Sequence, residues 1–306
     1  MNIRTIQGII DGAVAKTTAK LGVFFENLAT GETAGVNVDE IFPTASVYKI
    51  FTLAELLLQA KEGRFSLDDR RPLDMTFKSE GSGVLSMLAD GLQPTLRDYA
   101  MLMMTISDNT AADFLFALVG REAIAHDVLK PLGLAHTKCD LTCRDLIAVS
   151  YTLPPGLSYG EFDARYAALG RPSLRNAPAY TGGLAENDET SPADVSTILR
   201  HFYRGTWVDA EASAEALDIM KRCQTNSRIP KHLPDGCKAA HKTGTMTRVA
   251  NDAGIVYTPA GDFILSLFYN GNVASEEEYN ANVKGRLGDE LLANLSRDIC
   301  AAFLVG

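Results

Sequence analysis

The spacing of apolar residues predicts a helix and a β-hairpin at the start of the chain. Residues 3–19 place isoleucines and a valine at helical intervals, which indicates an amphipathic helix. Residues 21–26, Leu-Gly-Val-Phe-Phe-Glu, are typical of a strand, and the turn at 29–32 leads into a second strand over 33–38. A strongly apolar stretch over about 46–60 then predicts a buried helix.

Helix signals dominate the middle of the chain. Thr95 and Asp98 have the spacing of a capping box at a helix start. In such a box, the side chain of each residue accepts a hydrogen bond from the backbone N–H of the other. Ser191 followed by Pro192 combines an N-cap residue with proline in the first turn, and Gly205 is placed to end that helix. We therefore expect this part of the chain to be mostly helical.

Strand patterns return near the end of the chain. Residues 238–243, 252–257 and 263–269 alternate or run apolar, and a closing helix is predicted over about 286–303. Strands at both ends predict an α/β (α+β) fold, with an antiparallel sheet built from both chain ends, flanked by helices, and an inserted helical lobe. We expect one domain over 1–306, with the sheet lobe at about 1–60 plus 226–306 and the helical lobe at about 61–225.

The charge balance argues against two classes of partner. The chain has 29 lysines and arginines against 38 aspartates and glutamates, a formal net charge of −9. Such an acidic protein is not expected to bind nucleic acid or an anionic membrane surface as its main partner. No apolar run reaches the roughly 18 residues of a membrane helix. The sequence gives no sign of an obligate protein partner.

The cysteines and the N-terminus bear on cofactors and location. The five cysteines are odd in number and lack metal-binding spacing, so we expect free thiols, no metal and no cofactor. They are Cys139, Cys143, Cys223, Cys237 and Cys300. The N-terminus has no apolar region of a signal peptide. As it reads, the sequence predicts a cytoplasmic protein, or a periplasmic or secreted one if a leader was removed.

Ser46 and Lys49 form the first group of residues that can do chemistry. They lie three apart within 44–49, Thr-Ala-Ser-Val-Tyr-Lys, at a predicted helix start, so both project from one face. A serine hydroxyl becomes a good nucleophile when a base takes its proton, and a lysine of lowered pKa can do so. Backbone N–H groups at the helix start can also stabilise an oxyanion. In isolation, this pattern is common on exposed helices.

Two further groups follow along the chain. Ser107-Asp108-Asn109 lies between two predicted helices, where Ser107 can relay a proton and Asn109 can bind a carbonyl, although all three types also favour helix caps. His-Lys-Thr-Gly-Thr at 241–245 ends a predicted strand. There Lys242 supplies positive charge, Thr243 a hydroxyl for a carboxylate, and the N–H of Thr245 a second oxyanion donor. Gly244 lets a substrate approach the strand edge.

Taken together, the three groups are the set Ser-x-x-Lys, Ser-Asp-Asn and Lys-Thr-Gly, in this order and in these contexts. The sequence resembles the class A β-lactamase family, within the wider superfamily of penicillin-recognising serine hydrolases. The resemblance extends over nearly the whole chain, from the early hairpin to the Lys-Thr-Gly strand. It implies a β-lactamase/transpeptidase-like fold and a small-molecule substrate, a β-lactam or an acyl-D-Ala-like compound.

The resemblance also implies a role for each matching residue. Ser46 would be the acylated nucleophile, and Lys49 with Ser107 would form the proton network. The substrate would be held by Asn109, Lys242, Thr243, Gly244 and Thr245. The implied activity is that of a serine β-lactamase, which opens the lactam ring through an acyl-enzyme on Ser46.

One departure from the family pattern leaves alternatives open. Class A enzymes carry Glu-x-x-x-Asn on a loop before the Thr-x-Pro helix, and this pattern is missing between Tyr151 and Glu189. Glu186 is the nearest substitute for the base that activates the deacylating water. A D-alanyl peptidase, an esterase, or a penicillin-binding protein that acylates without turnover therefore remain alternatives.

A second serine pattern competes with Ser46. Gly-x-Ser-x-Gly at 156–160 matches a nucleophile elbow, which requires a strand before the serine and a helix after it. Pro154 and Pro155 argue against that strand, so we expect Ser158 to have no catalytic role. Among the histidines, His241 could tune the neighbouring lysine or serve a structural purpose.

Overall fold

The computed structural model describes residues 2–171, 187–273 and 287–305. Its strands are β1 (Lys20–Asn27), β2 (Thr33–Val36), β3 (Phe42–Pro43), β4 (Glu189–Thr190), β5 (Lys238–Met246), β6 (Val249–Thr258) and β7 (Gly261–Asn270). Its α-helices are α1 (Ile3–Val14), α2 (Lys49–Lys61), α3 (Leu96–Thr105), α4 (Asn109–Val119), α5 (Arg121–Ala123), α6 (Cys143–Ser150), α7 (Tyr159–Ala168), α8 (Pro192–Arg204), α9 (Ala210–Lys221) and α10 (Leu287–Val305). A short 3₁₀ helix, Ala45–Tyr48, leads directly into α2.

Strands from both ends of the chain form one antiparallel sheet in the order β2-β1-β7-β6-β5. The N-terminal strand β1 pairs with the late strand β7 along its whole length, from Lys20 opposite Asn270 to Asn27 opposite Phe263. The predicted fold class is therefore confirmed. β5 is the last strand on one side of this sheet, so its outer edge is available to other elements.

The alternation of side chains along β7 divides the hydrophobic core into two parts. Phe263, Leu265 and Leu267 pack with apolar residues of α1 and α10 on one face of the sheet. Ile264 and Phe268 point to the opposite face, where they join the larger cluster with α2, α4 and α8. Full burial of each such side chain contributes roughly 1.5–3 kcal/mol, so both layers stabilise the sheet.

Helix α2 lies at the centre of the larger cluster and carries Lys49 into it. Its residues from Lys49 to Leu57 are all buried. A helix that is apolar on nearly all sides is expected in the interior, as the pattern over 46–60 predicted. The chain enters this helix beside the edge strand β5, which brings the start of α2 next to the Lys-Thr-Gly segment.

The predicted helix boundaries are confirmed where capping residues define them. Thr95 and Asp98 form a reciprocal capping box at the start of α3. Ser191 accepts a hydrogen bond from Asp194 N at the start of α8, and Gly205 ends that helix in the left-handed conformation.

The first helix is shorter than predicted, because α1 ends at Val14 and does not reach residue 19. Thr17 Oγ1 accepts a hydrogen bond from Ala19 N, which favours a turn over further helix. Within the described residues, no helix combines the length and apolar character needed to cross a membrane. The division into lobes at about residues 60 and 225 stays a prediction.

Candidate active site

Ser46 lies in the short 3₁₀ helix that precedes α2, and its side chain is half-buried. Ala45, the residue before it, has a φ of +44°, a left-handed conformation that is unfavourable for alanine. Asn251 of β6 holds this segment, since its Nδ2 donates to Pro43 O at 2.7 Å and to Thr44 O at 3.1 Å. Tertiary contacts thus hold the strained backbone beside Ser46.

Lys49 Nζ is buried among oxygen atoms of the Ser-Asp-Asn segment. It donates to Ser107 O at 2.8 Å, to Asn109 Oδ1 at 2.8 Å and to Ser107 Oγ at 3.2 Å. Lys49 has no exposed surface, whereas the hydroxyl of Ser46 faces a cavity. The structure therefore joins Lys49 of the first predicted group to Ser107 and Asn109 of the second.

The segment around Ser107 is fixed in a strained conformation by its neighbour Asp108. Ser107 has a φ of +58°. The Asp108 carboxylate accepts from Val84 N, Leu85 N and Ala111 N at 2.7, 2.9 and 3.0 Å, so it holds this segment and the start of α4 against a second loop. A Cβ at Gly83 would lie 2.3 Å from this carboxylate, which explains the glycine there. Asp108, the middle residue of the Ser-Asp-Asn motif, therefore positions Ser107 and Asn109 on either side of it.

Lys242 reaches the same serine from the edge strand β5. Its Nζ donates to Ser107 Oγ at 3.0 Å and to Thr243 O at 2.7 Å, and the side chain is fully buried. Burial lowers the pKa of Lys242 to about 7, and the charge of Lys49 acts in the same direction. The two lysines thus converge on one hydroxyl from opposite sides.

Gly244 allows β5 to pass close to the nucleophile segment. A Cβ on Gly244 would lie 2.5 Å from Thr44 O and 3.1 Å from Val47 Cγ2, so a larger residue would push β5 away from Ser46. Thr245, the next residue, is exposed at the cavity. Arg228 supports this region from beneath, because its guanidinium donates to Gly244 O at 2.9 Å and to Thr245 Oγ1 at 2.7 Å.

A buried polar cluster lies behind Lys242 and Thr243. His241 Nδ1 is 2.8 Å from Asp252 Oδ1, and neither side chain is exposed beyond 2%. Although burial acts against it, the Asp252 carboxylate raises the pKa of His241 to about 10. Thr243 Oγ1 is hydrogen-bonded to Thr225 Oγ1 at 2.7 Å, and Thr225 Oγ1 lies 3.1 Å from Cys223 Sγ. These contacts fix the side chains on both sides of Lys242.

The cavity beside Ser46 has a volume of about 80 Å³. Its lining residues come from all three predicted groups and from α6, and they include Ala45, Ser46, Ser82, Asn109, Cys143, Leu146, Ile147, Ser150, Thr245, Met246 and Thr247. A nucleophile, an amide and the strand edge thus share one cavity. The contribution of α6 was missed from the sequence, because Cys143 is a single residue in a stretch without a recognisable motif.

Comparison with known proteins identifies the family. The model of the beta-lactamase enzyme family matches residues 3–303. The chain belongs to this family. Beta-lactamase L2 of Stenotrophomonas maltophilia is 32% identical over 280 residues, which cover 89% of this chain and 81% of that protein.

Two solved structures illustrate the similarity. A β-lactamase from Sphaerobacter thermophilus is 26% identical and aligns with a TM-score of 0.77 over 100% of this chain and 99% of that one. The structure of PBP-A, 24% identical with a TM-score of 0.77 over 99% and 97% of the two chains, shows the shared fold. The predicted resemblance is confirmed, and the protein is a class A-like serine hydrolase, a β-lactamase that acts on a small molecule.

The structure bears differently on Glu186 and Ser158, the two residues between Tyr151 and Glu189 that the sequence of this β-lactamase singled out. Glu186 lies outside the described residues. Ser158 caps α7, where its side chain accepts from Glu161 N at 3.3 Å and donates to Glu161 Oε2 at 2.7 Å. The element before it is helix α6, so the strand that a nucleophile elbow requires is missing there, as Pro154 and Pro155 predicted. Asp163, an acid of α7, is paired with Arg171 at 2.6 Å.

The cysteines and histidines form no metal site among the described residues. All five cysteines are free thiols in the structure. His241 is the histidine next to Lys242, and its buried pair with Asp252 supports the structural one of the two purposes that the sequence left open. The tuning of Lys242 by His241 stays a prediction.

Proposed function

We propose that the protein opens β-lactam rings through an acyl-enzyme on Ser46. The observation that carries the proposal is the convergence of Lys49 and Lys242 on the Ser107 hydroxyl, beside the cavity that Ser46 lines. This arrangement supplies a nucleophile, a base and a path for the proton without any further group. Family membership supports the same conclusion.

In the acylation step, Lys49 takes the proton of the Ser46 hydroxyl. Ser46 Oγ then forms a bond to the lactam carbonyl carbon, and the bond between this carbon and the lactam nitrogen breaks. The leaving nitrogen receives a proton from the Ser107 hydroxyl, which regains one from the neighbouring lysines. Backbone N–H groups of Ser46 and Thr245 would stabilise the oxyanion that forms on the carbonyl oxygen.

The substrate is proposed to lie along the outer edge of β5. Lys242 and Thr243 would bind its carboxylate, because an ammonium and a hydroxyl meet there in a buried setting. Asn109 can donate to a carbonyl, since its amide has two hydrogens and Glu80 O takes one at 2.7 Å. Gly244 would contribute by letting β5 lie against the Ser46 segment, because its Cβ position is filled by Thr44 O and Val47.

Hydrolysis of the acyl-enzyme needs a base for the attacking water. Glu186 is our proposal for this base, on the sequence argument alone, and it would take a proton from water as the ester bond to Ser46 breaks. Glu161 and Asp163, two acids of α7, are engaged in a helix cap and an ion pair. Their engagement supports Glu186 over both.

The test of the proposed function is covalent labelling of Ser46→Ala by a fluorescent penicillin, with Ser158→Ala as the matched control. We expect the label to be lost in the first variant and kept in the second. Labelling of Ser46→Ala with the adduct on Ser158 would overturn the proposal.

Pre-steady-state kinetics with a chromogenic cephalosporin test the outcome of acylation. Sustained turnover supports a β-lactamase. One stoichiometric burst without turnover would indicate a penicillin-binding protein, and absence of any reaction would favour a peptidase or an esterase.

A further inference from the structure

Cys143 is the first residue of α6, and its side chain lies in the wall of the cavity that Ser46 lines. The thiol is 3.2 Å from Tyr48 Oη and interacts with the Lys49 side chain. It is therefore in contact with the residue proposed to activate Ser46. The mechanism above gives it no role.

The position of Cys143 is fixed by contacts from two helices. Thr142 caps α6 and forms a capping box with Asp145. Asp113 of α4 accepts from Cys143 N at 2.6 Å and from Arg144 N at 3.1 Å. Because Asp113 is itself buried, these hydrogen bonds hold the first turn of α6 against the cavity. A side chain at position 143 must therefore point toward Lys49 and the cavity.

The wall that α6 contributes to the cavity lacks a base. Its side chains are the Cys143 thiol, the apolar Leu146 and Ile147, and the hydroxyl of Ser150. None of the described residues that line the cavity carries a carboxylate. Burial raises the pKa of the Cys143 thiol to about 12, although Lys49 acts in the opposite direction, so the thiol is neutral at pH 7.

We propose that Cys143 sets the lifetime of the acyl-enzyme, by placing a thiol beside Lys49 and the Ser46 ester where a carboxylate would activate water. The inference rests on the proposed function. It makes deacylation the slow step of turnover, so that the ester on Ser46 accumulates before it is hydrolysed. A carboxylate at position 143 would take the proton of a water molecule as that water attacks the ester carbon and the bond to Ser46 Oγ breaks.

Cys143→Glu and Cys143→Gln form a matched pair that differs only in the basic oxygen. General-base catalysis typically contributes 10²–10⁴-fold, so we expect Cys143→Glu to deacylate at least about tenfold faster than the parent. Cys143→Gln should not deacylate faster than the parent, because its amide is not basic. Single-turnover measurement of acyl-enzyme decay by mass spectrometry gives the rate directly. A second test combines Cys143→Glu with Glu186→Gln, where the new carboxylate should restore hydrolysis.

The outcomes separate the inference from the proposed function. If no variant acylates Ser46, including the parent, the proposed function is wrong. If all acylate and Cys143→Glu decays at the rate of Cys143→Gln, the inference is wrong.

Glutamate is larger than cysteine, so a folding defect in Cys143→Glu needs its own control. In Cys143→Ala, added formate can enter the space left by the thiol and should accelerate decay of the acyl-enzyme with saturation. The parent should show no such acceleration. Equal formate dependence in both proteins would overturn the inference, whatever the stability of the glutamate variant.

Discussion

Lys49 and Lys242 approach the same hydroxyl oxygen from opposite sides, with their Nζ atoms 3.2 and 3.0 Å from Ser107 Oγ. Both side chains are fully buried. Burial and the positive charge of Lys49 both lower the pKa of Lys242, to about 7. Ser107 Oγ therefore accepts from two lysines, of which Lys242 loses its charge near neutral pH.

The first prediction concerns pH. Because the pKa of Lys242 in the free enzyme is about 7, its positive charge is lost as the pH rises through this value. We expect kcat/KM for a β-lactam with a free carboxylate to fall above pH 7, since this parameter reports ionisations of the free enzyme. The same β-lactam with its carboxylate esterified is the control. Identical pH profiles for the two substrates would contradict this assignment.

The second prediction is that Lys242→Ala weakens acylation. A charge-assisted hydrogen bond to a carboxylate is worth roughly 1.5–3 kcal/mol, so acylation efficiency should drop about ten- to a hundredfold. Lys238→Ala removes an exposed lysine from the same strand and should acylate like the parent. Stopped-flow measurement of the burst rate compares the three proteins. Equal rates for both variants would show that Lys242 does not contact the substrate.

The third prediction concerns deacylation. Glu186→Gln should acylate normally and then stall, because its amide cannot accept the proton of the attacking water. An adduct with the full mass of the substrate should accumulate in the variant, whereas the parent turns over. Glu161→Gln, which changes only the cap of α7, should behave as the parent. Turnover of Glu186→Gln at the parent rate would exclude this glutamate as the base.

The fourth prediction tests the pair of His241 and Asp252 as a source of stability. The pKa of His241 is about 10 in the folded protein and 6.5 in an unfolded chain. The contribution of the pair to the free energy of unfolding is therefore fully present below pH 6.5 and is lost as the pH rises toward 10. Asp252→Asn should lower the free energy of unfolding by about 3 kcal/mol below pH 6.5 and remove this pH dependence.

The control for the fourth prediction is Glu290→Gln, which breaks the more exposed contact between Glu290 and His232. Denaturant unfolding at several pH values between 6.5 and 10 should leave this variant with the pH dependence of the parent. A similar loss of pH dependence in both variants would show that the buried pair has no special part in stability.

The sequence by itself determined the order of the main helices and strands and pointed to three groups of candidate catalytic residues. Local patterns carry this information. The capping residues Thr95 and Ser191 define helix starts, and the run of apolar residues over 263–269 defines β7. Ser46 and Lys49 are recognised by their spacing of three residues in the chain. Each of these signals depends on residues that are close together in the chain.

Tertiary structure alone decided which side chains meet in the cavity. Nothing local predicts that Asn251 of β6 bonds to the backbone just before Ser46, or that Asp113 of α4 holds the backbone of Cys143. Lys49 and Lys242 are far apart in the chain, and only the packing of β5 against the start of α2 brings both to Ser107. Their burial, and with it the lowered pKa of Lys242, depends on the surrounding atoms of the folded chain, because desolvation is a property of packing.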